Sequence, residues 1–213
     1  MFAYLKPNYI TIDRTRRFSY DGQIYPSVSQ ILAATKPEQD RQALQRWRNR
    51  VGAKQAQQIS TAACRRGTSL HTAIKYFLNR EQLPDDVENN GYWHSIKPVL
   101  EQVSTVHLVE SAVYHRQYKY AGRFDCFGEW EQEFCVFDWK TATKPKKAEW
   151  ITDYFLQVTA YTAAINHLYN INIERAIIAI AIEDRPAQMF HLNSDDLKNY
   201  WEQFLIRLRL FYS

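Results

Sequence analysis

The sequence is poor in cysteine, in long apolar runs and, over one stretch, in acidic residues. Its three cysteines, Cys64, Cys126 and Cys135, have no CxxC spacing and form no even framework, as in an intracellular protein with reduced thiols. No run approaches the roughly 18 apolar residues that cross a bilayer, and no charged segment followed by an apolar one stands at the N-terminus. We therefore expect a soluble, non-secreted protein with no membrane partner.

Acidic residues are absent from the segment 41–66, which is rich in basic ones. These are Arg41, Arg46, Arg48, Arg50, Lys54, Arg65 and Arg66. A solvated helix face would usually carry interspersed carboxylates, so contact with phosphate and plain solvation both stay open for this stripe. The net charge of +4 is modest and says less than this distribution.

The segment 120–140 combines the alternation of a β-strand with acidic residues. Asp138 and Lys140 are two residues apart, so on a strand both point to the same face. A second strand is predicted over 122–128, with a polar turn between the two. In a symmetric hairpin Asp125 and Asp138 become direct neighbours, with Cβ atoms only about 4.5–5.5 Å apart. Like charges at that distance favour a bound cation, and a divalent metal ion is the obvious candidate.

The remaining elements are predicted from apolar periodicity and capping residues. They are, in chain order, a hairpin at Asp21 and Gly22, a short helix to Ala34, helix over 37–80 broken near Gly52 or Gly67, a helix over 92–102 weakened by Pro98, a strand over 105–120, a helix from 149 or 152 to about 169, a central strand over 177–182, its partner over 189–192 across a turn at 183–186, and a final helix capped by Ser194.

Polar residues interrupt these apolar elements in a definite order. Four motifs contain them: Gly67-Thr68-x-x-His71, Tyr120-x-Gly122-x-x-Asp125, Asp138-Trp139-Lys140-Thr141 and Gln157-x-x-x-Tyr161. A lone Asp-x-Lys occurs often by chance, whereas all four pieces in this order are specific. Through them the chain resembles the PD-(D/E)xK nuclease superfamily in its RecB-like exonuclease branch. Position 124 is Phe instead of Pro, which leaves the following carboxylate in place.

The resemblance implies an α/β fold, with a PD-(D/E)xK restriction-endonuclease-like core. A central mixed β-sheet would be flanked by helices and carry an N-terminal helical elaboration. We expect one nuclease domain over 1–213, with a hairpin and basic helical portion over 1–80 and the catalytic core over 105–213. The four-cysteine arrangement of several RecB-like relatives is missing, so we expect no iron–sulfur cluster.

The resemblance further implies a metal-dependent DNA exonuclease. Hard oxygen ligands suit Mg²⁺ or Mn²⁺, and Asp125 and Asp138 would supply them. Lys140 would orient the attacking water or stabilise developing negative charge. Further ligands would be Glu110, the carbonyl of Trp139 and His71. A lone histidine beside an apolar stripe is more often structural, but the resemblance favours a functional His71.

Other residues are candidates to support the ligands or to bind DNA. They are Gln157, Tyr161, Thr68, Thr141, Arg46, Arg48, Arg65, Arg66 and Lys144. Ordinary helix packing is the alternative for Gln157 and Tyr161. A few aromatic residues could stack on unpaired bases, and we expect one or two to do so among Trp47, Tyr118, Tyr120, Trp139 and Trp150.

The implied substrate is single-stranded DNA, or a flap, with a free end. A nuclease-fold protein that binds nucleic acid without turnover and a structure-specific endonuclease remain alternatives. No obligate protein partner is indicated. The bare N-terminus suits a bacterial or phage cytoplasmic protein, and the mitochondrial matrix is the alternative if a presequence has been removed.

Overall fold

The computed structural model describes residues 2–213, which contain ten β-strands and six α-helices. The strands are β1 Tyr9–Ile12, β2 Thr15–Tyr20, β3 Gln23–Tyr25, β4 Thr105–Val109, β5 Ala112–His115, β6 Tyr120–Arg123, β7 Cys126–Trp130, β8 Glu133–Ala142, β9 Arg175–Ile182 and β10 Arg185–Leu192. The helices are α1 Val28–Ala34, α2 Glu38–Val51, α3 Ala53–Leu78, α4 Gly91–Leu100, α5 Thr152–Tyr169 and α6 Ser194–Tyr212.

A five-stranded mixed sheet forms the centre, in the order β10-β9-β8-β7-β4. Strands β8 and β9 are parallel, and α5 connects them, while the other neighbours are antiparallel. One core layer packs α1, α5 and α6 against one face, and a second packs α3 and α4 against the other. This arrangement confirms the predicted mixed α/β fold with a helix-flanked sheet.

The alternation of β8 divides its side chains between the two layers as predicted. Val136 belongs to the layer under α5, while Phe137 and Trp139 belong to the layer under α3 and α4. Residues 175–182 of β9 are almost entirely buried, as expected for a strand covered on both faces.

The β7–β8 hairpin has the predicted symmetry. Its two-residue turn is Glu131-Gln132, both with positive φ (52° and 67°), the geometry that matches the twist of paired strands. The register pairs Trp130 with Glu133 and continues to Cys126 opposite Phe137. Asp125 is the residue before Cys126, and Asp138 is the residue after Phe137. Continuing the register by one position therefore places Asp125 opposite Asp138.

Two predicted strands are each broken in the structure, and the breaks lie side by side. The strand expected over 122–128 is divided at Phe124 and Asp125, and the one expected over 105–120 at Glu110 and Ser111. Glu110 has φ +48°, its N–H donates to the Asp125 carbonyl at 2.9 Å, and Phe124 N–H donates to the Ser111 carbonyl at 3.2 Å. Because the two segments bend at the same place, β5 and β6 leave the central sheet and form a separate two-stranded sheet.

The N-terminal prediction is mostly confirmed. The hairpin turns at Asp21 and Gly22, and β1 adds a third strand, which is not predicted from the sequence. Ser27 caps α1, and the long helical region breaks at Gly52 (φ +84°). Gly67 lies inside α3, so the alternative break there is wrong.

Two predicted details at the C-terminal end are wrong. Asn193, not Ser194, caps α6, because its side chain accepts hydrogen bonds from the N–H groups of Asp195 and Asp196. The turn before β10 is shorter than predicted. Pro186 lies inside β10, an edge strand where a missing N–H is tolerated. Pro98 also lies inside α4 without ending it.

None of the helices within 2–213 has the length and apolar character needed to span a membrane. Cys126 and Cys135 are buried and Cys64 is exposed, and all three are free thiols in this part of the chain.

A buried histidine should make stability depend on pH. His115 is 5% exposed and stacks on His167 with ring centroids 4.1 Å apart. Burial, and then the charge of His167, lower its pKa from 6.5 to about 4. The unfolded chain therefore binds a proton that the folded chain excludes, and stability falls as pH decreases from about 6.5 to about 4. We expect a loss of about 1–2 kcal/mol, allowing for partial solvent screening.

Denaturant titrations of wild type and His115→Phe at about pH 7.5 and pH 5 measure this effect. The loss should be smaller in the variant because phenylalanine does not titrate. An equal decline in both proteins would show that other groups cause it.

Candidate active site

The candidate site lies where β8 passes the break between β6 and β7. Asp138 is 1% exposed, and the Lys140 ammonium lies 2.6 Å from its Oδ2. Both carboxylate oxygens of Asp138 are buried and accept no well-aligned hydrogen bond. The strand alternation that places these two side chains together is the one predicted from the sequence.

Asp125 extends the hairpin ladder with its side chain. Its Oδ2 accepts a hydrogen bond from the Trp139 N–H at 2.8 Å, where a regular strand would use a carbonyl group. The carboxylates of Asp125 and Asp138 are close enough for Asp125 to raise the pKa of Asp138. The predicted meeting of the two aspartates is therefore present, with Asp125 immediately before the first residue of β7 rather than within the strand.

His71 reaches the same place from α3. Its Nε2 lies 2.9 Å from the Trp139 carbonyl, and since a carbonyl only accepts, this nitrogen is the donor. In a neutral ring Nδ1 then has the lone pair, and it lies 3.5 Å from Asp125 Oδ1. A lone pair that faces a carboxylate oxygen at this distance leaves a position that suits a cation.

Burial dominates the electrostatics of the pair on β8. Loss of water raises the pKa of Asp138 to about 6, although the Lys140 charge opposes this. Burial acts against the charge of Lys140 too, but Asp138 and Asp125 outweigh it and raise the pKa of the ammonium. Lys140 is therefore held as a cation with 18% of its side chain still exposed.

Gln157 and Tyr161 form the adjoining wall on α5. Gln157 Nε2 donates to the Tyr161 hydroxyl at 3.1 Å. Burial raises the pKa of Tyr161, and the charge of Asp138 raises it further, whereas the charge of Lys140 lowers it. Gly122 packs against this tyrosine so closely that a Cβ there would be 2.4 Å from the ring. The contact with Tyr161 therefore explains why residue 122 of the motif is a glycine.

The other candidates divide into near and distant groups. Arg66 Nε donates to Thr141 Oγ1 at 3.2 Å and its guanidinium lies over the Tyr92 ring, which joins α3 to the end of β8. Glu110 borders the site through its backbone, and its side chain is 3.5 Å from Arg123. Four exposed basic side chains do not contact this cluster within the described chain: Arg46, Arg48, Arg65 and Lys144. Thr68 is also exposed, one turn before His71.

Tyr154 also contacts the site, although it is not among the residues predicted from the sequence. The Lys140 ammonium lies 5.2 Å from the centroid of this ring. Tyr154 precedes Gln157 by three residues and Tyr161 by seven, so the helical spacing of α5 could have revealed it. Two proposed stacking residues are wrong: Tyr120 and Trp139 are buried in the core. Trp150 is 63% exposed.

The donor chemistry of the site fits a divalent cation. The buried Asp138 carboxylate, whose Oδ2 contacts the Lys140 ammonium, and Asp125 beside it offer the hard oxygen ligands that Mg²⁺ and Mn²⁺ prefer. Residues 2–213 do not, however, group three His, Cys, Asp or Glu side chains tightly enough to hold a metal ion by themselves. Backbone carbonyls, water or substrate oxygens would have to complete the coordination.

The mixed sheet flanked by helices, with Asp125, Asp138 and Lys140 together at its centre, matches the arrangement expected from the resemblance to the PD-(D/E)xK nucleases. The chain is 32% identical over 215 aligned residues to mitochondrial genome maintenance exonuclease 1 of Homo sapiens, which covers 95% of the chain. The proteins of the same name from Xenopus tropicalis and Mus musculus are 33% and 34% identical, each over 86% of the chain. The chain is thus similar over most of its length to proteins named as exonucleases, in agreement with the exonuclease resemblance of its motifs.

The chain spans less than two thirds of these relatives: 62%, 56% and 57% of their lengths. No family model matches it. Among solved structures, a candidate exonuclease from Eubacterium rectale is similar over 62% of this chain and 55% of that one, with a TM-score of 0.42 and 8% identity. A phage-related exonuclease from Haemophilus somnus is similar over 68% and 79%, with a TM-score of 0.33 and 11% identity. These two likenesses are weak.

Proposed function

We propose that the protein is a divalent-metal-dependent exonuclease that hydrolyses phosphodiester bonds of DNA, in single strands or flaps with a free end. The observation that carries this proposal is the buried Asp138–Lys140 pair, with Asp125 beside it at the break in the sheet. The names of its relatives, which are exonucleases, support the same reaction.

Each residue of the site has a role in this reaction. Asp138 and Asp125 would hold Mg²⁺ or Mn²⁺, with Glu110, His71 and the Trp139 carbonyl as further candidates. When bound, the metal would neutralise phosphate charge and make a water molecule more acidic. Lys140 keeps its proton, so it can stabilise negative charge that develops on the phosphate or orient the attacking water by donating to it.

His71 and Asp125 would fix the position of residue 139. Both bind its backbone, His71 at the carbonyl and Asp125 at the N–H. The backbone between Asp138 and Lys140 is therefore held from two sides, which keeps the carboxylate and the ammonium in register. Gln157 and Tyr161 would hold the adjoining wall in place through their mutual hydrogen bond.

The exposed basic residues of α2 and α3 would bind the phosphate backbone. No side chain of α2 is buried, and Arg46 and Arg48 lie on it, with Arg65 further along on α3. These side chains are already exposed, so they can contact DNA without a change in the fold. Their affinity for DNA should fall as the salt concentration rises. Of the five candidate aromatics, Trp150 is exposed and Trp47 and Tyr118 are half-buried, so these three are available for stacking.

An end-labelled DNA panel tests the proposal. Linear single-stranded, duplex, flapped and circular single-stranded DNA would be incubated with and without Mg²⁺. We expect metal-dependent shortening of the linear and flapped strands and no change in the circles. Digestion of circles would favour the endonuclease alternative, and binding without cleavage under Mg²⁺ or Mn²⁺ would favour the non-catalytic one.

We also propose that residues 1–213 act as one nuclease domain, because α3 supplies His71 and Arg66 to the end of β8. The word mitochondrial in the relatives' names supports the matrix, the second of the two predicted compartments. Fractionation of the source cells with a specific antibody would test this location.

A further inference from the structure

A groove of about 300 Å³ opens beside Tyr161, between the N-terminal strands, α1 and the end of β6. Its lining includes Tyr9, Arg16, Ser27, Gln30, Arg123 and Tyr161, and we call it the meander groove. Tyr161 borders the candidate active site as well, because Gln157 binds its hydroxyl there. The groove is thus next to the place where a strand would be cut.

Arg16 lies at the exposed end of one face of β2. Phe18 and Tyr20 lie on the same face and are 5% and 9% exposed. The core ends before Arg16, and its guanidinium lies 3.7 Å above the Tyr9 ring. Within the described residues no carboxylate lies within 4 Å of it. Its backbone is held to α1, since Gln30 Nε2 donates to the Arg16 carbonyl.

Arg123 supplies a second guanidinium at the other side of the groove. Its side chain is 50% exposed, and its one acidic neighbour, Glu110, is 3.5 Å away. The Glu110 side chain is only 18% exposed, but the 3.5 Å separation makes the pair a long one. Arg123 therefore keeps most of its donors available to a ligand.

The chemistry of the groove favours a phosphate. Two guanidiniums offer fixed sets of N–H donors that match phosphate oxygens. Ser27 and Gln30 also line the groove, where their side chains cap α1. Tyr9 adds an aromatic face at the same wall. A cation would meet repulsion from both arginines, and an apolar ligand would leave their donors unsatisfied.

We propose that the meander groove binds a phosphate of the DNA strand next to the one being hydrolysed, with Arg16 and Arg123 as its ligands. This inference rests on the proposed function and names a substrate contact for it. The phosphate can come from the end of the strand or from its interior, and the experiment separates these sources.

Arg16→Gln and Arg17→Gln form a matched pair of variants. Both lose one charge on neighbouring residues of β2, but Arg17 points to the opposite face, with its guanidinium 5.9 Å from the Phe211 ring. Loss of one charge-assisted phosphate contact should raise KM for a short single strand about tenfold in Arg16→Gln and change kcat little. Arg17→Gln should behave as wild type. Equal KM values in the two variants would overturn the inference.

Substrates that differ only at the end identify the source of the phosphate. If Arg16→Gln loses affinity only for strands with a terminal phosphate, the groove holds the strand end. If it loses affinity equally for strands with a terminal hydroxyl, the groove holds an internal phosphate. Fluorescence anisotropy with the same labelled strand, without added metal, measures binding independently of cleavage. A binding difference between the variants without turnover in wild type would reject the proposed function and keep the groove.

Discussion

Replacing Lys140 by alanine is expected to lower Mg²⁺-dependent cleavage of single-stranded DNA by about a thousandfold or more, the scale of losing a buried electrostatic contact to the transition state. The ammonium is held against Asp138 and lies over the Tyr154 ring. Water that filled the space left by the Lys140 side chain would not replace its positive charge. The measurement is single-turnover cleavage of an end-labelled strand with enzyme in excess.

Stability must be measured on the same variant, because Asp138 would lose its cationic partner. Its pKa is already raised to about 6 by burial, and without Lys140 it should rise further, so protonation limits the loss of stability. Thermal unfolding should therefore show a cooperative transition. Asp138→Asn gives a second test of the pair with little change in shape. Activity near the wild-type value in either folded variant would refute the assigned site.

The matched control is Lys198→Ala. Lys198 is exposed on α6, with 75% of its side chain accessible, and pairs only with Asp195 among the described residues. The substitution removes the same side chain and the same charge away from the candidate site. We expect Lys198→Ala to cleave DNA at the wild-type rate. A loss of cleavage in Lys140→Ala alone would then result from the position of Lys140 and not from the change in net charge.

Gly122→Ala is expected to reduce both stability and activity. The new Cβ would meet Tyr161 Cε1 at 2.4 Å, and a rigid ring in a packed wall cannot move without cost. Overpacking of this kind destabilises by about 1–3 kcal/mol. Displacement of Tyr161 would carry Gln157 with it, and cleavage should fall by about a hundredfold.

A double-mutant cycle with Tyr161→Leu shows whether the ring is the cause. In that background the extra methyl group meets a smaller, flexible side chain, so Gly122→Ala should cost little further stability. Gly67→Ala is the contrasting glycine, since nothing lies within 4 Å of its added Cβ inside α3. It should stabilise the protein by about 0.5–1 kcal/mol. Equal costs of Gly122→Ala in both backgrounds would contradict a clash with Tyr161.

Short-range regularities in the sequence determined much of this protein. The period of two in β8 placed Asp138 and Lys140 on one face, and the polar turn at Glu131 and Gln132 set the hairpin register that brings Asp125 level with Asp138. Helical spacing placed Gln157 and Tyr161 together. These results depend on local backbone geometry, which neighbouring residues specify.

Only the tertiary structure decided how separate elements meet. The paired breaks at Glu110 and Asp125 stabilise one another by hydrogen bonds between distant segments, so neither is visible in its own segment. The burial that raises the pKa of Asp138, the close approach of Gly122 to Tyr161 and the position of Arg16 beside the site likewise depend on packing of distant segments. Sequence patterns specify which face a side chain occupies, whereas its neighbours across that face come from the fold as a whole.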